Sequence, residues 1–122
     1  VRSGAKGHGR NNRIEGRLDA GQKVVVVEDL ISTAGSAIET VEALREAGAV
    51  VLGIVSIFTY GMKKGLERLK AAGVENASLT DFDRLVETAV REGYIAPGDA
   101  PRLAAFRDNP SDESWMDRKE KP

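Results

Sequence analysis

Apolar and polar positions along the chain switch repeatedly between two spacings. After Gly21, the stretch from Lys23 to Val27 carries four consecutive valines, the pattern of a strand covered on both faces as in a parallel sheet, and it ends at Glu28 and Asp29. From Ser36 to Ala47, the residues Ala37, Val41 and Leu44, flanked by Ile38 and Ala47, fall at helical spacing, with Gly48 as the stop. Val50 to Phe58 again reads as a strand, Lys63 to Ala72 as a helix stopped by Gly73, and Ala77 to Leu79 as a short further strand. Thr80 and Asp83 have capping-box spacing and open a helix that carries Leu85, Val86, Ala89 and Val90 and stops near Gly93. A short helical piece is expected from Pro101 to Arg107. Residues 108–122, rich in Pro, Asp, Ser and Lys, read as an extended tail whose one large apolar anchor is Trp115. Strand, helix, strand, helix, strand with short connections predicts an α/β fold: a parallel, Rossmann-like sheet with right-handed crossovers, in a core of residues 1–107.

The start of the chain breaks this rhythm. Arg2 to Arg17 shows no apolar periodicity and combines Gly4, Gly7, Gly9 and Gly16 with Lys6, His8, Arg10 and Arg13, so a mobile basic loop is expected. The first residue is Val1 rather than Met, and no secretory leader follows. The chain therefore reads as the continuation of a longer one, opening on an internal loop.

Composition narrows the classes. The 122 residues suit one domain, and 41% hydrophobic with 30% charged residues is ordinary for a globular chain. The valine run is far too short to cross a bilayer, so no membrane insertion is expected. A formal net charge of −1 provides no basic field, and no nucleic acid partner is expected. The absence of cysteine excludes disulfides, thiolate nucleophiles and cysteine-bound metals, and leaves the cytoplasm as the default expectation.

The densest chemical signal is Val24-Val25-Val26-Val27-Glu28-Asp29-Leu30-Ile31-Ser32-Thr33-Ala34-Gly35-Ser36. Two carboxylates stand at the expected C-terminal edge of a buried strand, where ligands gather in α/β sheets. Small and hydroxyl-bearing residues then lead into a helix. Backbone N–H groups at a helix start lack internal partners, the helix dipole adds positive potential, and small side chains let an anion approach. The acids would repel a bare phosphate, so they suit sugar hydroxyls or a divalent cation held by those hydroxyls and a diphosphate. The lysine of a Walker A loop is missing after Gly35.

This run resembles the phosphoribosyl diphosphate signature of type I phosphoribosyltransferases, which places the motif at residues 23–36. About twenty residues before the acids, the segment Arg2-Ser3-Gly4-Ala5-Lys6-Gly7-His8-Gly9, with Asn12, Ile14, Glu15 and Gly16, is similar to the flexible catalytic loop of the orotate phosphoribosyltransferases within that group. The resemblance continues through Ile57-Phe58-Thr59-Tyr60-Gly61 and Thr80-Asp81-Phe82. It implies transfer of the phosphoribosyl group from phosphoribosyl diphosphate to orotate, giving orotidine 5′-monophosphate and diphosphate. Mg²⁺ is implied as the cofactor, held through the substrate's diphosphate and ribose hydroxyls. A homodimer in which the loop covers the partner's site is implied too. Residue by residue, Arg2, Lys6 and His8 would contact the diphosphate, Glu28 and Asp29 the ribose hydroxyls, and Ser32, Thr33, Ala34, Gly35 and Ser36 the 5′-phosphate. Lys6, His8 and Asp29 form the expected catalytic set.

Three departures accompany the match. Ser3 stands where many relatives carry a second basic residue. Ala34 stands where glycine is common, which is tolerable if its backbone torsion is ordinary. The family's N-terminal half, with the region that grips the base, does not precede Val1, and the fragment is expected to be inactive alone. A purine-base phosphoribosyltransferase, a non-catalytic regulator that binds phosphoribosyl diphosphate, and an inactive fragment stay open as alternatives. Tyr60 reads as packing at a strand end rather than as a contact to the base.

Overall fold

The valine run and the second β-branched run pair directly, as residues suited to a pleated, buried surface should. In the computed structural model, which describes Val1 and residues 14–116, β1 (Lys23–Ile31), β2 (Val50–Thr59) and β3 (Asn76–Asp81) form a parallel sheet in the order β1-β2-β3. The register sets Val26 beside Ile54 and Ile54 beside Asn76. Two crossover helices, α1 (Gly35–Glu46) and α2 (Lys63–Ala71), link the strands. Their apolar stripes and one sheet face share a single core of Val26, Ile31, Ala34, Ala37, Val41, Ile54, Leu69 and Val74. The predicted stops hold: Gly48, Gly73 and Gly93 all take left-handed φ just past a helix. Arg45, in the last turn of α1, donates from Nη1 to the Ala72 carbonyl at 2.6 Å and from Nη2 to the Gly73 carbonyl at 3.3 Å. It satisfies carbonyls that the end of α2 leaves without helical partners and locks the two helices together at that end.

Four expectations change. β1 runs on through the acidic pair to Ile31, because β2 offers ladder partners as far as Thr59, so Glu28 and Asp29 lie within the strand and not beyond it. The sheet is also not covered on both faces among the described residues. Val27 is 77% exposed, Ile57 58% and Leu79 85%, and together with Val25 and Val55 they form an apolar face opposite the helices. The helix after β3 is capped by Asp81 and not Thr80. The β2–β3 ladder holds Thr80 in the strand, and the Asp81 carboxylate accepts the Arg84 N–H at 2.9 Å at the start of α3 (Phe82–Arg91).

The last difference concerns the chain after α4 (Asp99–Asp108). As far as Met116 it does not trail away. A 3₁₀ turn, Glu113–Met116, returns Trp115 against Phe106 with ring centroids 5.4 Å apart, and the Arg102 side chain donates to the Trp115 carbonyl at 3.1 Å. Aromatic burial outweighs the polar composition that suggested a tail. Arg107, bonded to Asp83 at 2.6 Å, ties α4 to α3.

Candidate functional site

The carboxyl ends of all three strands open on one cleft of about 560 Å³, lined there by Ile31, Ser32, Thr59, Gly61, Met62, Thr80 and Asp81. At its β1 corner the chain must turn from strand to helix within Ser32, Thr33 and Ala34. It does so through Ala34, with φ 68° and ψ 6°, the one non-glycine residue in the left-handed region among those described. The torsion at position 34 is therefore not ordinary. Left-handed backbone costs an alanine about 1–2 kcal/mol. The Ala34 methyl is 4% exposed and sits in the main core, and burying it returns a large part of that cost, about 0.8 kcal/mol.

The consequence lies at the start of α1. Ala34, its N-cap, has no side chain that can accept from the helix, and the first turn holds no acid. The first helical bond, from Ile38 N–H to the Ala34 carbonyl, leaves the amides of Gly35, Ser36 and Ala37 without a capping side chain. The hydroxyls of Ser32, Thr33 and Ser36 also have no hydrogen-bond partner among the described residues. Amides, hydroxyls and the positive end of a helix thus converge on a spot whose small residues admit an anion.

The loop is braced from α2. Gly65 packs so closely beneath it that a Cβ there would lie 2.6 Å from the Ser32 carbonyl oxygen and 3.4 Å from the Thr33 carbonyl carbon. One helical turn on, Arg68 donates from Nη1 to the Thr33 carbonyl at 3.3 Å. Sequence reasoning missed both. Glycine inside a helical segment is a signal of close approach that could have been read at Gly65; nothing in the sequence distinguishes Arg68 from other surface arginines.

Of the two acids, Glu28 is half-buried and Asp29 exposed. Burial, and then the neighbouring Asp29 charge, pushes the Glu28 carboxyl above its ordinary range. Among the described residues no three His, Cys, Asp or Glu side chains cluster as a metal cage. Consecutive strand residues point to opposite faces, so Glu28 and Asp29 do not make a cation site by themselves, and a Mg²⁺ ion there would take its oxygens from water and a ligand's phosphates. Tyr60 packs edge-on to Phe58 at 5.2 Å and lies 5.6 Å from Phe82, an aromatic cluster at the end of β2. Arg2, Lys6 and His8 lie outside the described residues; of the rest of the expected set, Glu28 and Asp29 lie within β1 and Ser32 to Ser36 in the turn that leads from it into α1, and Gly65 and Arg68 of α2 pack against that turn.

The chain has clear relatives. Residues 11–89 match the family model described as the phosphoribosyl transferase domain. An orotate phosphoribosyltransferase of Bacillus cereus (strain G9842) is 59% identical over 116 residues, which cover 95% of this chain and 55% of that protein. The chain thus spans about half the length of the curated relatives it matches. Among solved structures, Leishmania donovani UMP synthase superposes with a TM-score of 0.69 at 26% identity, over 86% of this chain and 22% of the other. Mycobacterium tuberculosis orotate phosphoribosyltransferase in complex with 5-phospho-α-D-ribosyl 1-diphosphate gives 0.55 at 30% identity, over 67% and 45%.

Proposed function

We propose, since the chain belongs to the phosphoribosyl transferase domain family, that it forms the sugar-phosphate half of an orotate phosphoribosyltransferase. The observation that carries the reading is the uncapped, small-residue start of α1 beside Glu28 and Asp29, in a chain 59% identical to a protein named for that reaction. The substrates are phosphoribosyl diphosphate and orotate. A ring nitrogen of orotate forms a bond to the anomeric carbon of the sugar and releases its proton to solvent, as the bond from that carbon to the diphosphate oxygen breaks. Diphosphate leaves with the electron pair and orotidine 5′-monophosphate remains.

Each group has a task in that displacement. The amides at Gly35 to Ala37 and the hydroxyls of Ser32, Thr33 and Ser36 hold the 5′-phosphate, which fixes the sugar without taking part in bond breaking. Glu28 and Asp29 accept from the ribose hydroxyls and orient the anomeric carbon. Lys6 and His8, with Arg2, place cationic donors where the diphosphate gains charge, the point at which electrostatic stabilisation acts most strongly. Mg²⁺, bound to the diphosphate and ribose oxygens, would supply further neutralisation of the leaving group. The loaded site must also exclude water, which would otherwise hydrolyse the sugar diphosphate.

The full-length parent is read as a homodimer in the cytoplasm, and no helix among the described residues is long and apolar enough to cross a membrane. Loss of orotate absorbance after phosphoribosyl diphosphate is added to that parent, dependent on Mg²⁺, is the direct test. Consumption of adenine, hypoxanthine or guanine with orotate ignored would replace the reading by the purine alternative, which the names of the curated relatives disfavour. For residues 1–122 alone, binding of ribose 5-phosphate without turnover is expected.

A further inference from the structure

Among the described residues, every arginine but one is spoken for. Arg17, Arg84, Arg91, Arg102 and Arg107 each pair with a carboxylate, and Arg45 closes the end of α2. Arg68 differs. It is half-buried, has no ion pair among the described residues, and its one described bond is the donation to the Thr33 carbonyl. Its Nη1 also lies against the first residue of α1: a Cβ built on Gly35 would stand 3.5 Å from it. A cation with no carboxylate partner among the described residues, set beside the positive end of a helix, is the opposite of what dipole and charge prefer. Two like potentials are held together there, and a bound anion would offset both.

We propose that Arg68 is a positioning residue for the Ser32 to Ser36 loop, holding the loop in its anion-receiving shape through the Thr33 carbonyl and contributing uncompensated positive charge toward a phosphorylated ligand. This rests on the reading of the loop as a 5′-phosphate cradle. The geometry explains why the two tasks fall to one side chain. Gly65 and Arg68 are three residues apart and share a face of α2, so the glycine lets the helix come close enough for the guanidinium to reach the loop. The planar fork can spend one N–H on the Thr33 carbonyl while its charge stays available, which a lysine does less well because its ammonium offers no fixed geometry.

Two measurements on residues 1–122 separate this role from the cradle reading itself: calorimetric affinity for ribose 5-phosphate, and amide hydrogen exchange of Thr33 to Ser36 without ligand. R68M keeps the aliphatic stem and removes the charge and donors; R68K keeps the charge. We expect R68M to weaken binding by about tenfold, the loss typical of one charge-assisted hydrogen bond. Exchange should quicken at the loop alone, and R68K should recover most of the affinity without restoring loop protection. If R68M and R68K both stay within about twofold of the unsubstituted chain in affinity, with loop exchange unchanged, the role is refuted. Faster exchange spread over the whole sheet in R68M would refute it also, by making Arg68 a general packing residue. Should the unsubstituted chain fail to bind ribose 5-phosphate, the cradle reading falls, and the loop exchange still decides whether Arg68 positions it.

Discussion

Replacing Gly65 by alanine should destabilise this protein, although the same change in an ordinary helix would help it. Alanine is normally worth about 0.5–1 kcal/mol over glycine at an interior helical position, since glycine loses more backbone freedom on folding. Here the new Cβ would stand 2.6 Å from the Ser32 carbonyl oxygen, a backbone atom that cannot rotate away. A carbon normally keeps at least about 3.3 Å from a carbonyl oxygen, so α2 or the loop must move by roughly 0.7 Å. Overpacking of that kind costs about 1–3 kcal/mol. The gain in propensity offsets part of it, leaving a net loss of about 0.5–2 kcal/mol. Urea denaturation of the two proteins, compared at equal slope, reads the difference as a lower midpoint for G65A. Affinity for ribose 5-phosphate should fall with it, because the displaced atoms belong to Ser32 and Thr33. A midpoint for G65A equal to or above that of the unsubstituted chain would show that helix and loop are not in contact as described.

Three further outcomes follow from the same structure. At Ala34, glycine relieves the left-handed torsion but forfeits the buried methyl and loosens the unfolded chain, so A34G should change stability by no more than about 1 kcal/mol, whereas A34V, β-branched at φ 68°, should lose more than about 2 kcal/mol; thermal unfolding decides, and a fully stable A34V would contradict the torsion. Glu28 has a raised folded pKa, so the folded state holds its proton more tightly than the unfolded state, and the stability this gives is complete below the ordinary carboxylate range and lost as pH rises through the folded value. E28Q should therefore match or exceed the unsubstituted chain in urea midpoint at pH 7 and lose less stability between about pH 4 and pH 7; an unchanged pH dependence would sink the assignment. On the open sheet face, V27K combined with L79K should reduce self-association of residues 1–122 in sedimentation velocity with little change in unfolding midpoint, and persistence of the same oligomers would mean that this face is not what joins them.

The strands and helices were legible because local patterns and tertiary packing agree: Val26 of the valine run lies beside Ile54, and Ala37 and Val41 share one core with both. The limits of β1 and β3 were not, since a strand continues for as long as its neighbour offers partners, and neither the reach of β2 to Thr59 nor its hold on Thr80 is written in local composition. Glu28, Asp29 and the loop from Ser32 to Ser36 could be read from residue types alone. Arg68 could not, because its role depends on the approach of α2 to a loop more than thirty residues earlier in the chain. The torsion at Ala34 was hidden for a related reason: an alanine reveals nothing of a left-handed backbone until the packing that holds it there is seen.

That torsion also shapes which sequences lie within reach. Alanine codons are one base change from glycine codons and one from valine codons, so mutation delivers both replacements at position 34 with comparable ease. The backbone treats them oppositely, since one side chain vanishes from the left-handed turn and the other branches into it. Position 34 is thus a one-way gate in sequence space. Lineages can drift freely between alanine and glycine at the head of α1, while the equally accessible path to valine is closed by geometry before any question of ligand arises.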